Sequence, residues 1–512
     1  MMENEKETLF WKRILLFSIA VFLLMFVYQY AYITFFKPSE TKKEVASQQT
    51  KEKKSTTLEK VEIPQLMLGT FREKQEYDEK VQVDLGIFSL EISQKGGKIL
   101  RLIDKKYGYD LISSAERQLK IFPLEIFTGN PDLDTKINFG EYEVIKEKDH
   151  VVLKHKELNF EKVLKYENYA IKLEVRGLNP PFWVFVGTYP DDEAFYTHEG
   201  PIIHLNGKLD RLDVKDLKGV NEFSGKITLA GEESRYFFKG AKGNYEKVLI
   251  YKIKVGENWR SFTALLYTQP ITLYYGAKDY ARLRVLGLED LIDWGTLKVI
   301  VKPLFIFLYW IYEHTGSWVI SIVVLTLIIR IFMFPLGYKS TVSMLKLQEL
   351  APKLEKLKQK YKDDPVKLQE EMMKLYAEAG FNPFSGCLPI LLQIPIFFAL
   401  YKVLIITVDL KISSFLWVQS LADKDPFYIL PIIMGLTMIL QQKLTPSPDP
   451  KQALTGYLMS VIFTLLFINF PAGLVLYWTL NNVLNIVQNY LIKDVLLKDK
   501  INPSNKTEGR SK

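Results

Sequence analysis

The residues best placed to do chemistry are polar groups stranded in apolar sequence. Arg330 lies within "SWVISIVVLTLIIRIFMFPL" (Ser317 to Leu336), and Thr326 sits one helical turn before it on the same face. Gln393 interrupts "ILLQIPIFFALY". Tyr477, Asn481, Asn485 and Gln488 follow one another at spacings of four, four and three, a polar stripe down one side of a helix. A charge at the centre of a membrane helix costs at least ~2.5–3.5 kcal/mol. None of these runs holds an aspartate or glutamate between its ends, so water, amides and hydroxyls must solvate the guanidinium. A cation so placed attracts acidic or polar segments of an incoming chain. Two structural readings compete with that role: Arg330 snorkels toward the near membrane edge, and the stripe serves helix-to-helix hydrogen bonding.

The elements that would position these groups are read from where apolar residues fall. The chain has 512 residues, is 48% hydrophobic and carries a formal charge of +8, but its apolar residues gather near the N-terminus and after Gly295. The lysines are dispersed and neither zinc-finger nor Gly-Lys-Ser/Thr phosphate-loop spacing occurs, so no sequence-specific nucleic-acid reader is expected. "GGK" at Gly96 to Lys98 reads as a plain turn. The single cysteine, Cys387, excludes an internal disulfide and a multi-cysteine metal cage.

The pattern predicts a polytopic α-helical membrane protein with six transmembrane helices, five of them in a core, and an inserted antiparallel β-sandwich. Ile14 to Phe36 is long enough to cross ~30 Å of hydrocarbon and reads as a retained signal anchor over residues 1–36. The second span covers residues 316–337. Four more follow within 383–492, at about Phe384 to Val408, Phe427 to Gln442, Leu454 to Phe470 and Ala472 to Ile492. Nine lysines fall between the second and third spans, and the tail of residues 493–512 is also basic, whereas the loops on the other side carry only Lys411 and Lys424. Positive charge stays cytoplasmic, so both termini are expected inside. On that topology Arg330 lies ~20 Å along its helix, with ~10 Å left to the cytoplasmic edge. Residues 286–315 include "LKVIVKPLFIFLYWIYEH", whose apolar run is broken by Lys302 and Pro303. That segment reads as an interfacial amphipathic helix on the outer surface.

Residues 37–60 are too polar to fold and read as a tether. From 61 to 285, period-two runs such as Val81, Val83, Leu85 and Ile171, Leu173, Val175 predict the sandwich. Its best polar cluster is His198, Glu199 and His204 with Asp191, Asp192 and Glu193, which reads as a solvated loop because "HEGPIIH" is no established zinc spacing. Tyr189, Phe195 and Tyr196 suit core packing or a sugar cleft. Residues 338–382 predict a helical hairpin, with Leu354, Leu357 and Tyr361 on one face and Asp364 capping a second helix that begins at Pro365. That hairpin reads equally as a self-covering pair and as a docking paddle for a ribosome or emerging chain.

Four stretches carry a family resemblance: "PLFIFLYWIYEHTGSWVISIVVLTLIIRIFMFPL", "LAPKLEKLKQKYKDDPVKLQEEMMKLYAEAGFNPFSGCLPILLQIPIFFALY", "DPFYILPIIMGLTMILQQKLTP" and "NFPAGLVLYWTLNNVLNIVQNYLI". Together they resemble the membrane core of the YidC membrane-protein insertases, relatives of the Oxa and Alb insertases. The resemblance implies a hydrophilic, cytosol-open groove with Arg330 as its charge and Thr326, Gln393 and Tyr477 among its lining. Asn481 and Asn485 extend that lining, as does Trp478, which stands where many relatives carry a second tyrosine. It further implies the bacterial inner membrane and a periplasmic β-supersandwich of the two-membrane type. No cofactor or metal and no catalytic reaction is implied; the partners are nascent membrane proteins, the ribosome, the Sec translocon and membrane lipids. A polytopic transporter or channel is the alternative, opposed by the lack of intramembrane carboxylates and paired repeats. An anchored carbohydrate-binding enzyme is a third reading.

Overall fold

The structure is a computed structural model that describes residue 72 and residues 75–192, 197–378, 388–444 and 450–501, with side chains except at 346–347, 388–392, 450–452 and 494–501. The expected signal anchor, the tether, Glu193, Phe195, Tyr196, Cys387 and the end of the basic tail lie outside the described residues.

Strands β1 (Lys80–Leu85), β2 (Phe88–Ser93), β3 (Lys98–Asp104) and β4 (Tyr109–Asp110) form a small antiparallel sheet in chain order. In β1 the alternation predicted from sequence puts Val83 and Leu85 inside and Gln82 and Asp84 outside. Helix α1 (Ser114–Leu119), β5 (Ile126–Phe127) and α2 (Pro131–Phe139) lead into a second, larger antiparallel sheet. It contains β6 (Tyr142–Lys146), β7 (His150–His155), β8 (Glu161–Glu167), β9 (Ala170–Arg176), β10 (Phe182–Gly187), β11 (Gly200–Leu205), β12 (Lys208–Arg211), β13 (Val220–Glu233), β14 (Phe237–Val255), β15 (Asn258–Tyr267) and β16 (Ile271–Ala277). Its order is β12-β11-β13-β14-β16-β9-β8-β7-β6, and β15, β10 and β5 branch from β14. The long β14 makes the branch: Phe237 to Lys242 pair with β16, then Val248 to Val255 pair with β15. One strand thus serves two layers. Strand β10 is buried on both faces, with Phe182, Val184 and Val186 in the main core and Trp183 and Phe185 in a second cluster behind it.

Helix α3 (Tyr280–Leu286), capped by Asp279, ends the β-rich part. A 3-10 turn at Glu289–Leu291 and an irregular stretch follow, so the segment expected as a helix from residue 286 becomes helical only at α4 (Lys298–Thr315). Pro303 lies inside α4 without ending it. Gly316, at φ 67°, turns the chain into α5 (Trp318–Lys360). The second span and the first arm of the hairpin are one unbroken helix of 43 residues, ~65 Å long. Asp364 then accepts from the Lys367 N–H at 3.0 Å and caps α6 (Pro365–Glu378). Helices α7 (Leu388–Ile406), α8 (Ile429–Leu444), α9 (Pro450–Phe467) and α10 (Ala472–Ile501) complete the helical part. Trp318–Leu345 is long and apolar enough to cross a membrane; Gln393–Ile406, Ile429–Leu444 and Ala453–Phe467 are shorter apolar helices.

A single apolar cluster runs from the sheets through Trp294, Phe305 and Trp318 into Phe397, Leu404 and Leu474, so the two parts share a core. Charged ties flank that seam. Lys106 Nζ lies 2.7 Å from both Asp279 and Asp409, and the Tyr107 hydroxyl, with one proton to give, lies 2.8 and 3.0 Å from the same two carboxylates. Arg235 Nε donates to the Ile405 carbonyl at 3.1 Å, in the last turn of α7. Asp279 and Asp409 are almost fully buried, so the one ammonium of Lys106 is shared between two carboxylates that water scarcely reaches, with Arg282 3.7 Å from Asp279 as a second cation. Lys106→Met is expected to destabilise the chain by ~2 kcal/mol, less than the ~3–5 of a fully buried pair because Lys106 is 39% exposed. Adding Asp409→Asn should recover part of the loss. Thermal unfolding of the two purified variants checks both; a double variant less stable than Lys106→Met contradicts the shared neutralisation.

Candidate functional site

Arg330 lies near the middle of the apolar length of α5, and its side chain crosses sideways to α10. Its Nη2 donates to the Asn481 main-chain carbonyl at 2.6 Å, and its Nη1 lies 3.4 Å from Asn485 Oδ1. Nε finds no partner, and neither do Asn481 Oδ1 and Gln488 Nε2. Among the described residues no carboxylate pairs with the guanidinium. It is held by a peptide oxygen and an amide, with unsatisfied polar atoms beside it that water can reach only if the site is wet. Helices α5 and α10 come close about two turns farther on: a Cβ added at Gly337 would collide with Gln488 Nε2.

The same helices are polar inside and apolar outside. In α10 beyond Leu480, the buried residues include Asn481, Asn482, Gln488 and Asn489, while Val483, Val487 and Leu491 are exposed. In water that arrangement would be inverted; against lipid the exposed Val483, Val487 and Leu491 would meet hydrocarbon. Asn489 accepts from the Thr341 hydroxyl at 2.7 Å, and Asn482 donates to the Thr437 hydroxyl at 3.1 Å. These four residues were not singled out in the sequence reading. Asn489 continues the four-residue spacing of Asn481 and Asn485, which was the available signal; Thr341 and Thr437 had none.

Packing divides at Arg330. Toward the β-rich part, Trp318, Ile322 and Leu325 of α5 are buried, as are Ala472 and Leu474 to Tyr477 of α10. From Leu327 to Ser340 no residue of α5 is buried, and Ile331 and Phe332 are 70% and 79% exposed. The bundle is dry at one end and loosened at the other, and the guanidinium stands at the transition.

The other expected groove residues are placed differently. Gln393 Nε2 donates to the Tyr477 hydroxyl, which joins α7 to α10 beside Arg330. Thr326 is buried, and its hydroxyl donates to the Ile322 carbonyl one turn back at 2.6 Å, so it satisfies its own helix. Trp478 packs into an aromatic cluster, with ring centroids 5.3, 6.2 and 5.4 Å from Phe397, Phe463 and Phe467. The indole therefore packs where a hydroxyl would have been lost. Lys402, near the other end of α7, lies 2.9 Å from Asp293. Burial works to raise that carboxyl, but Lys402 and Arg211 outweigh it and hold Asp293 below the ordinary carboxylate range.

In the β-rich part, His204 of β11 bonds Thr228 of the neighbouring β13, and His198 lies 3.4 Å from the Pro201 carbonyl, so the two imidazoles serve the sheet and its turn. Burial pushes Glu199 up to about 7 against the nearby Arg260. Among the described residues no three His, Cys, Asp or Glu side chains converge on a possible metal position. Tyr189 is buried under the Arg260 guanidinium, 4.3 Å from its ring, which is a packing role.

A family profile described as "60Kd inner membrane protein" matches residues 310–499. The chain is 70% identical over 500 residues to the membrane protein insertase YidC of Aquifex aeolicus, covering 98% of both proteins. It is 37% identical over 413 residues to the membrane protein insertase YidC of Helicobacter pylori, covering 76% of this chain and 75% of that one. A crystal structure of an active YidC insertase with its first transmembrane domain resolved superposes with a TM-score of 0.43 at 21% identity, over 81% of this chain and 93% of that one. The weight rests on the sequence matches, which run the length of the chain: it belongs to the YidC family of membrane protein insertases.

Proposed function

We propose that the protein moves hydrophobic segments of newly made proteins into the bacterial inner membrane through the polar groove around Arg330, alone or with the Sec translocon. The observation that carries this reading is the buried amide stripe of α10 meeting a guanidinium that no described carboxylate neutralises. A polar segment entering from the loosened end exchanges bulk water for a site of fixed amides and one cation, which lowers the cost of bringing it to membrane depth. Its apolar neighbour then slides along α7 and α9 into lipid, at ~25 cal/mol per Å² of apolar area removed from water. Partitioning supplies the driving force, so the process needs neither cofactor nor catalytic reaction.

In this reading the chain crosses the membrane six times with both termini cytoplasmic, the β-rich domain is periplasmic, and α4 lies on the outer surface. The α5–α6 hairpin and the basic tail face the cytosol, where the ribosome delivers the nascent chain. Lipids complete the groove's open side. A transporter reading has little to stand on: α7 to α9, and α10 as far as Ile492, carry no carboxylate for ion coupling, and the chain's relatives are insertases.

Proteoliposomes containing only this protein should insert a short single-span substrate; failure at adequate protein density contradicts the proposal, and gradient-driven solute uptake by the same vesicles favours the transporter. Arg330→Ala should slow substrates with acidic outer tails by roughly tenfold, and those with neutral tails by less than about twofold, since ~1.4 kcal/mol of attraction is lost only for the former. Equal slowing for both tails excludes the electrostatic role. Arg330→Met should raise the unfolding temperature of the purified chain while lowering insertion, because it removes an uncompensated buried charge. A fall in unfolding temperature would make the guanidinium a structural brace.

A further inference from the structure

Helix α4 has two unlike faces. On one, Val301, Phe305, Leu308 and Ile311 are buried, with Phe305 5.1 Å from the ring of Tyr280 and 5.2 Å from that of Trp294. Among the described residues no side chain covers the other: Val299 is 87% exposed, and Ile306 and Trp310 are also exposed. A shallow trough of about 900 Å³ runs along this face past Val299, Ile306, Phe307 and Trp310, with Lys298 and Lys302 at one end. An apolar face of this length stays in water only at a cost, so lipid is its natural cover.

The two lysines are the unexplained part of that surface. They stand one helical turn apart, a like-charge spacing that disfavours the helix. Among the described residues no carboxylate pairs with either, and no acidic residue occurs from Lys298 to Trp310. A bridging anion relieves the repulsion, and an anion joined to an apolar chain fills the trough as well. We infer that Lys298, Lys302 and the trough form a site for one anionic phospholipid of the outer leaflet. The headgroup phosphate lies between the two ammonium groups and an acyl chain lies along Val299, Ile306 and Trp310. A zwitterionic lipid brings its own cation to the same place and gains less. This inference rests on the reading that α4 lies on the outer membrane surface.

The test uses the full chain in nanodiscs of equal phosphatidylglycerol and phosphatidylcholine, with retained lipids identified by native mass spectrometry. Phosphatidylglycerol should be enriched, and Lys298→Gln with Lys302→Gln should lower the enrichment by roughly fivefold per lysine. Unchanged thermal unfolding of the double variant would establish that its fold is intact. Absence of enrichment in the unaltered chain, or equal enrichment in the double variant, overturns the site. Displacement of the lipid by millimolar inorganic phosphate overturns it too, by identifying free phosphate as the ligand. A fluorophore at Val299→Cys, in a Cys387→Ser background, separates the two readings with nitroxide-labelled lipid. Quenching without headgroup preference removes the phospholipid site and leaves α4 on the membrane; no quenching removes both.

Discussion

The helical part is organised around a cation that no carboxylate among the described residues neutralises. Arg330 is held by the Asn481 carbonyl and the Asn485 amide, contacts that orient a guanidinium and leave its charge in place. Keeping it there requires polar surroundings at membrane depth, and these require a helix whose buried face is amide rather than aliphatic. Helix α10 meets that demand with Asn481, Asn482, Gln488 and Asn489 inside. Partner helices must then supply hydroxyls at the right places, as Thr341 and Thr437 do. The loosened packing of α5 beyond Leu327 belongs to the same requirement, since dry packing there would strand the polar atoms.

The loosened end of the bundle is set against a well-packed opposite end. The β-rich part provides that packing by continuing the apolar core of the bundle and adding charged ties around it. The hairpin of β3 and β4 presents Lys106 and Tyr107 to Asp409 just past α7, and Arg235, next to the end of β13, takes a carbonyl in the last turn of α7. The end of α7 is therefore fixed by groups from two turns of the β-rich part. Because Gln393 sits on the same helix and bonds Tyr477 beside Arg330, the seam and the groove share one rigid element.

Much of this was legible in the sequence wherever one residue breaks an unbroken pattern. Arg330 stands out because nothing else charged lies near it in its run, and the stripe through Asn481 and Asn485 stands out by its spacing. The two sheets were legible as alternation, as in β1 and β9. Contacts between helices were not, since they depend on rotation about axes that the sequence leaves free. That is why Trp478, next to a groove residue in the chain, faces Phe463 and Phe467, and why Thr326 on the Arg330 face back-bonds to Ile322. The unbroken α5 was hidden for another reason. Pro335 and the change from apolar to lysine-rich sequence look like an ending, but a proline near a span end, with neighbouring polar groups to take up the freed carbonyl, need not break a helix.

The comparison between Arg330 and Lys402 decides what the unpaired charge is for. Both are cations in otherwise apolar helices, and membrane insertion disfavours both. Lys402 lies next to the seam, and the fold supplies Asp293 at 2.9 Å, so its charge is consumed by structure. Arg330 lies where α10 offers five or more polar positions, any of which could carry a carboxylate at no cost in helix length. A pair there would be more stable than an unpaired guanidinium and would attract nothing. The fold pairs a cation where the two parts meet and, among the described residues, supplies no carboxylate to Arg330; in the proposed reading that missing carboxylate is what lets the groove attract polar segments.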